Sequence, residues 1–222
     1  MNYEQLYNFR FRNVDQSGRM AVWAEVAPHV HSIMGKPQKL LDPAAGRGEF
    51  LGAVPATETW AVDAVSYEQA AHKADTNVIV SPIMDAVLPD DYFDGVYVSN
   101  FLEHLYDQEA IHQFLLKMLS HTQDGGRIAI MGPNYRYCAS EYWDYADHFV
   151  ALTHRAIEEH LYAAGFELER TIPRYLPYSF TGNLPSAPWL VRLYLRTPLA
   201  WRVLGKQFLV IGRRPRRSAA IH

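Results

Sequence analysis

Three aspartates close three successive apolar runs: Asp42 ends KLLD, Asp63 ends TWAVD and Asp85 follows NVIV in SPIMDA. Asp42 also opens the loop LLDPAAGRGEF, in which Gly46 and Gly48 let backbone amides come close to a ligand. A dinucleotide loop needs a third glycine where Leu51 stands, and no Gly-Lys-Ser/Thr follows, so neither common phosphate cradle is present. A carboxylate inside the loop would repel phosphate and favours a cationic group. An amino acid fits, its ammonium on Asp42 and its carboxylate on the loop backbone. Asp63 is placed to accept both hydroxyls of an adjoining ribose. Asp85 can accept the exocyclic amine of an adenine flanked by Met84 and Ala86. S-adenosylmethionine has each of those parts. A glycine turn between strand and helix is common by itself, and Asp63 or Asp85 alone could cap a helix; the ordered set of three carries the reading.

Histidines form the second group. His104 lies in SNFLEHL, after the fourth apolar run, either as a base or as a structural residue that caps the next helix. Farther on, YWDYADHFVALTH sets Asp144, Asp147, His148 and His154 among Tyr142, Trp143, Tyr145 and Phe149. Rings with a few polar groups suit a sugar or a ring-shaped acceptor, and Asp147 or Asp144 could orient His148 as base. The alternative is a surface loop whose aromatics fill a gap over the sheet, with His154 in a helix cap.

The elements that must position these groups alternate. Gly18 to Met34 spaces Met20, Trp23, Val26, Val30 and Ile33 as a leader helix that Pro28 should kink or shorten. KLLD and TWAVD read as short buried strands, and Ser66 with Gln69 forms a capping box opening a helix. NVIV and FDGVYVSN are strands. Asp107 caps an amphipathic helix, GGRIAIMGPN is a strand, and Thr153 caps a helix that Gly165 ends before the strand FELERTI. Strand and helix in alternation predict a parallel sheet with helices on both faces and ligands at the carboxyl ends of the strands.

In this order LLDPAAGRGEF, WAVD, IMDAVLPDDYFDGVYVSNFLEHL and GGRIAIMGPN resemble the class I S-adenosylmethionine-dependent methyltransferases, over about Lys39 to Ile172. The family loop is usually Asp-x-Gly-x-Gly-x-Gly, and Ala44 stands in its first glycine's place. The resemblance implies an α/β, Rossmann-like, seven-stranded and mostly parallel sheet with its last strand antiparallel. It implies cofactor contacts from Asp42, Ala44, Gly46, Gly48, Asp63, Ala64, Met84, Asp85, Ser99 and Asn100. The leader YNFRFRN and the stretch from YWDYADHF to AAGFELE are similar to a bacterial subgroup associated with polysaccharide or secondary-metabolite synthesis. Methyl transfer is an in-line displacement that needs positioning more than covalent catalysis. A hydroxyl acceptor also gains from a base, which His148 or His104 would supply. The ubiquinone-pathway O-methyltransferases bind a divalent ion through Glu-x-x-Glu-His; here the first glutamate is Asn100, Glu103 and His104 alone make a weak site, and no metal is expected.

Charge divides the chain. The formal net charge is -3, yet all 24 acids stand at or before Glu169, and ten of the 21 lysines and arginines follow it. We expect residues 1–37 to be the leader, 38–172 the cofactor-binding core, 173–205 an insertion, and 206–222 the final strand with a basic tail. The insertion segment APWLVRLYLRTPLAWRVLGK mixes arginines with large apolar side chains, as interfacial segments do; a lid or homodimer contact packed on the sheet edge is the preferred reading over a membrane contact. A lone cysteine, Cys138, no signal-peptide pattern and no membrane-length apolar run predict a cytoplasmic enzyme. No nucleic-acid module accompanies the basic tail. O-methylation of a small molecule or glycan is expected. N- or C-methylation of a lipid-linked acceptor, or a non-catalytic partner subunit that holds the cofactor, is the competing reading.

Overall fold

The computed structural model describes residues 3–10, 12, 15–67, 70–178 and 187–217. Its sheet of seven strands comprises β1 (Lys39–Asp42), β2 (Glu58–Asp63), β3 (Asn77–Val80), β4 (Phe93–Ser99), β5 (Thr122–Pro133), β6 (Glu167–Ile172) and β7 (Gln207–Arg213). The spatial order is β3-β2-β1-β4-β5-β7-β6, with β7 antiparallel to both neighbours. This is a Rossmann-like sheet, mostly parallel with its last strand antiparallel. Strand order reverses between β1 and β4, so their carboxyl ends, Asp42 and Ser99, flank the crevice where such sheets bind ligands.

The helices follow from their caps and buried faces. Asp15 accepts the Ser17 amide at 3.0 Å and starts α2 (Gln16–Ile33), which is preceded by α1 (Tyr3–Arg10). Pro28 lies inside α2 without ending it. An interior proline costs about 3 kcal/mol. Trp23, Val26, Ala27 and Val30 are fully buried around it, and two or three large apolar side chains at roughly 1.5–3 kcal/mol each exceed that cost. Asp107 caps α4 (Gln108–His121), Asn134 caps α5 (Tyr135–Tyr142) and Thr153 caps α6 (His154–Ala163). The 173–205 segment holds α7 (Pro188–Leu195) and α8 (Pro198–Leu204). No helix among the described residues is long and apolar enough to cross a membrane.

The helix expected from Ser66 does not form among the described residues, and Gln69 of its capping box lies outside them. Between β2 and β3 the chain instead lies flat on the short helix α3 (Glu49–Ala53), the Ala71 amide donating to the Arg47 carbonyl. Two glycines permit this. Gly48 has φ +76° and faces His72, and a Cβ on Gly52 would stand 2.0 Å from the Ala71 carbonyl oxygen. Local propensity gave way to close packing.

Gly52 therefore sets two effects against each other. Alanine is better than glycine in a helix by about 1 kcal/mol, whereas forcing an extra carbon into a filled space costs about 1–3 kcal/mol. Because the obstacle is backbone, the clash wins. We predict that Gly52→Ala lowers the midpoint of urea unfolding; a higher midpoint would show that the 70–76 segment yields freely.

Candidate functional site

A cavity of about 490 Å³ opens at the carboxyl edge of β1, β2 and β4, inside the range usual for ligand sites. At its base Asp42 is buried, and among the described residues the only hydrogen bond to its carboxylate comes from the Ala44 amide at 3.2 Å. Burial raises its pKa to about 8, and the nearby carboxylates of Asp63 and Glu49 push the same way. Asp63 accepts the Gly46 amide at 2.7 Å and the Val65 amide at 2.9 Å. One carboxylate thus fixes the glycine loop to the end of the neighbouring strand. Burial raises the Asp63 pKa as well. Glu49, buried at the start of α3, is paired with Arg19 of α2.

These residues fit S-adenosylmethionine on the structure's own terms. A buried carboxylate short of partners asks for a cation. Gly46 has φ +53°, and a Cβ there would meet no protein atom within 4 Å, so the loop leaves open space at that backbone. Asp42, Ala44, Gly46, Asp63, Ala64, Met84, Ser99 and Asn100 line the cavity together. Asn100 reaches it through a left-handed backbone, φ 48°. Two expected contacts are placed elsewhere: Gly48 packs against His72, and Asp85 is exposed outside the lining, its amide turned to the Pro82 carbonyl.

At the other end, Phe101, Leu105, Glu103, His104, Tyr145, His148 and Tyr178 line the wall. Glu103 and His104 sit in a single 3-10 turn, Leu102–His104. His104 Nδ1 lies 2.8 Å from the backbone carbonyl of Asp147, with the Asp147 Oδ2 atom 3.3 Å away. Since a carbonyl only accepts, Nδ1 carries the proton and Nε2 holds the lone pair. Asp147 is wholly buried and paired with Arg10 of α1. Burial alone would raise its pKa, but Arg10 and His104 outweigh it and hold the carboxyl below its ordinary value. Asp147 thus orients His104, whereas the residue types alone suggested His148 as its partner.

His148 is surrounded by rings instead. It stacks on Tyr145 at 5.1 Å and meets Tyr142 and His104 edge-on at 4.7 and 5.0 Å. Burial, joined by the charge that His104 carries when protonated, drops its pKa to about 4, and among the described residues its Nδ1 is buried without a hydrogen-bond partner. Glu103, His104 and His148 each offer one ligand atom within 4.8 Å of the others, a donor set able to hold a cation. His154 bonds the Asn134 side chain at 2.9 Å, away from the cavity lining.

Residue patterns missed the contribution of the leader. Tyr7, Arg10, Gln16, Arg19 and Trp23 all line the cavity. The signal was present in YNFRFRN, whose aromatic and basic side chains have no core strand to join, but 137 residues separate Arg10 from Asp147.

Residues 41–130 match the family described as a methyltransferase domain. Among solved structures, an Archaeoglobus fulgidus S-adenosylmethionine-dependent methyltransferase is similar at 21% identity, TM-score 0.62, over 96% of this chain and 100% of that one. The Burkholderia thailandensis 1,6-didemethyltoxoflavin-N1-methyltransferase, solved with 1,6-didemethyltoxoflavin and S-adenosylhomocysteine, is 16% identical at TM-score 0.61, over 96% and 89%. A Haloferax volcanii putative methyltransferase, in complex with the Trm112 activator, is 17% identical at TM-score 0.64, over 89% and 94%. These likenesses are of fold. No curated protein matches the chain.

The Asp42 environment yields a prediction. With a pKa of about 8 the carboxyl is protonated at neutral pH, yet an ammonium is held best by the carboxylate. Binding should therefore release a proton below pH 8, and affinity for S-adenosylmethionine should rise with pH by up to about tenfold per unit until Asp42 is ionised. Calorimetry in buffers of different ionisation enthalpy reads the proton directly. A binding heat independent of buffer would mean that Asp42 does not meet the cation.

Proposed function

The chain carries a methyltransferase domain of the S-adenosylmethionine-dependent type, and from that premise we propose that it methylates a hydroxyl on a small ring-shaped or glycan acceptor. The bound cofactor supplies an electrophilic methyl group on a sulfonium. Asp42, the loop amides and Asp63 would hold its amino-acid and ribose parts, and Ile83 and Met84 would lie against its adenine. The acceptor would lie among Tyr145, Tyr178, Phe101 and Leu105, where large apolar surfaces exclude water and fix the ring's plane.

The hydrogen bond from His104 to Asp147 carries this reading. It fixes the tautomer, leaves Nε2 as the basic atom at the cavity wall, and places a carboxylate behind the ring to stabilise the imidazolium that forms as the hydroxyl loses its proton. An amine acceptor would need no such relay. His148, whose pKa is depressed to about 4, remains neutral at working pH and serves better as a packing and hydrogen-bonding wall than as the base. The likeness of YNFRFRN and the aromatic loop to a subgroup of polysaccharide and secondary-metabolite enzymes agrees with such an acceptor.

His104→Gln should lower kcat about 10²–10⁴-fold, the usual contribution of a general base, while the dissociation constant for S-adenosylmethionine stays unchanged. Asp147→Asn should also lower kcat. Release of S-adenosylhomocysteine in the presence of hydroxylated acceptors is the measurement. Loss of turnover on chelation, restored by a divalent ion, would move the task from His104 to a cation held by Glu103, His104 and His148.

A further inference from the structure

The topology delivers the 173–205 segment to one edge. Ile172 pairs with Leu209 and Gln207 pairs with Pro133, so the segment both leaves and rejoins the sheet at the carboxyl ends of the parallel strands, where the cavity opens. Helix α7 packs on α2, and Leu195 and Trp201 turn inward to the core. The opposite faces carry Trp189, Leu193, Leu199 and Val203, with 68, 55, 72 and 73% of their surfaces exposed. Trp189 and Leu193 are four residues apart on α7, as Leu199 and Val203 are on α8, so each helix turns an apolar stripe outward. One exposed leucine needs no explanation, but adjoining helices that both present their large apolar side chains to solvent do.

The charges beside this face all have one sign. Arg192, Arg196 and Arg202 are exposed on the two helices, and no Asp or Glu occurs after Glu169. From the neighbouring α2, Glu25 is the acid that meets them, pairing with Arg192 and lying in the field of Arg196. A twofold contact with a second copy would bring arginine rims together with little acid to neutralise them. An anionic headgroup layer would accept both components, the arginines at phosphate level and the apolar side chains below it.

We propose that α7 and α8 form a docking face for an anionic lipid bilayer. Each arginine near such a surface is worth about 1 kcal/mol, and the apolar side chains add burial that a neutral bilayer would also provide. On the methyl-transfer reading, docking brings the cavity edge to a membrane and makes a lipid-linked glycan the acceptor; the docking face itself stands on its own residues.

The test is co-sedimentation of the full chain with phosphatidylcholine vesicles, with and without an equal part of phosphatidylglycerol. Binding to the anionic vesicles should be about tenfold tighter or more, from two unpaired arginines at about 1 kcal/mol each, and should fall with added salt. Trp189 emission should shift to the blue with either vesicle, and at a lower lipid concentration with the anionic one. Arg196→Glu with Arg202→Glu should remove the preference, Leu199→Ser with Val203→Ser should weaken binding to both vesicles, and S-adenosylmethionine binding should persist in each variant, which shows that they fold. Equal binding to both vesicle types, no binding, or a dimer in solution that Leu199→Glu dissociates would overturn the proposal. None of these outcomes depends on methyl transfer.

Discussion

Buried negative charge at the carboxyl edge of the sheet is the constraint around which the site is arranged. Asp42 and Glu49 are both buried, and Asp63 stands beside them. A carboxylate taken out of water must find hydrogen bonds or a counter-charge, or else take up a proton. All three solutions appear. Asp63 accepts two loop amides, Glu49 takes Arg19 from the leader, and Asp42, with one long amide contact, stays protonated. The unsolved case is the binding site. Evolution of a fully satisfied Asp42 would give a more stable protein and a poorer receptor for a cation.

The same constraint explains what the leader does. Its two arginines reach two buried acids at opposite ends of the cavity, Arg19 to Glu49 beside the cofactor loop and Arg10 to Asp147 behind His104. Truncating one partner of a buried pair leaves an uncompensated charge, which costs about 3–5 kcal/mol. The leader is therefore part of the site's electrostatics as well as its cover. Tyr7 and Tyr145 flank the Arg10 guanidinium at 5.3 and 4.9 Å, which holds the cation over the cavity while it remains paired.

Much of this was legible in the sequence for a simple reason: short apolar runs that end in an acid are strands that carry the acid to the carboxyl edge of the sheet. The alternation of strands and helices, the caps at Asp107 and Thr153, and the loop beginning at Asp42 follow from local pattern, whereas the antiparallel last strand followed from the resemblance to a family. What was not legible depends on distance. The segment after Ser66 has helical composition, yet two glycines eighteen and fourteen residues earlier let it lie flat on α3. Arg10, Asp147 and His104 stand in three separate stretches, and only the fold shows that Asp147 serves the earlier histidine. Asp85 shows the opposite case, a strand-end acid with the right spacing that the turn after β3 leaves exposed.

The end of the cavity around His104 is built on a different principle from the end around Asp42. Arg10 and Asp147 are paired there, and the buried Glu103 stands beside them within a wall of rings. Within that wall the Tyr178 hydroxyl and His148 Nδ1 are buried without hydrogen-bond partners among the described residues, and a buried polar group without a hydrogen bond costs about 1–3 kcal/mol. Two such atoms beside one cavity are a debt that a ligand can discharge. A hydrocarbon ring would leave both unmet, and a charged group would face uncompensated burial. On the proposed reading, a neutral ring bearing hydroxyl or carbonyl groups would meet both atoms while stacking on the tyrosines.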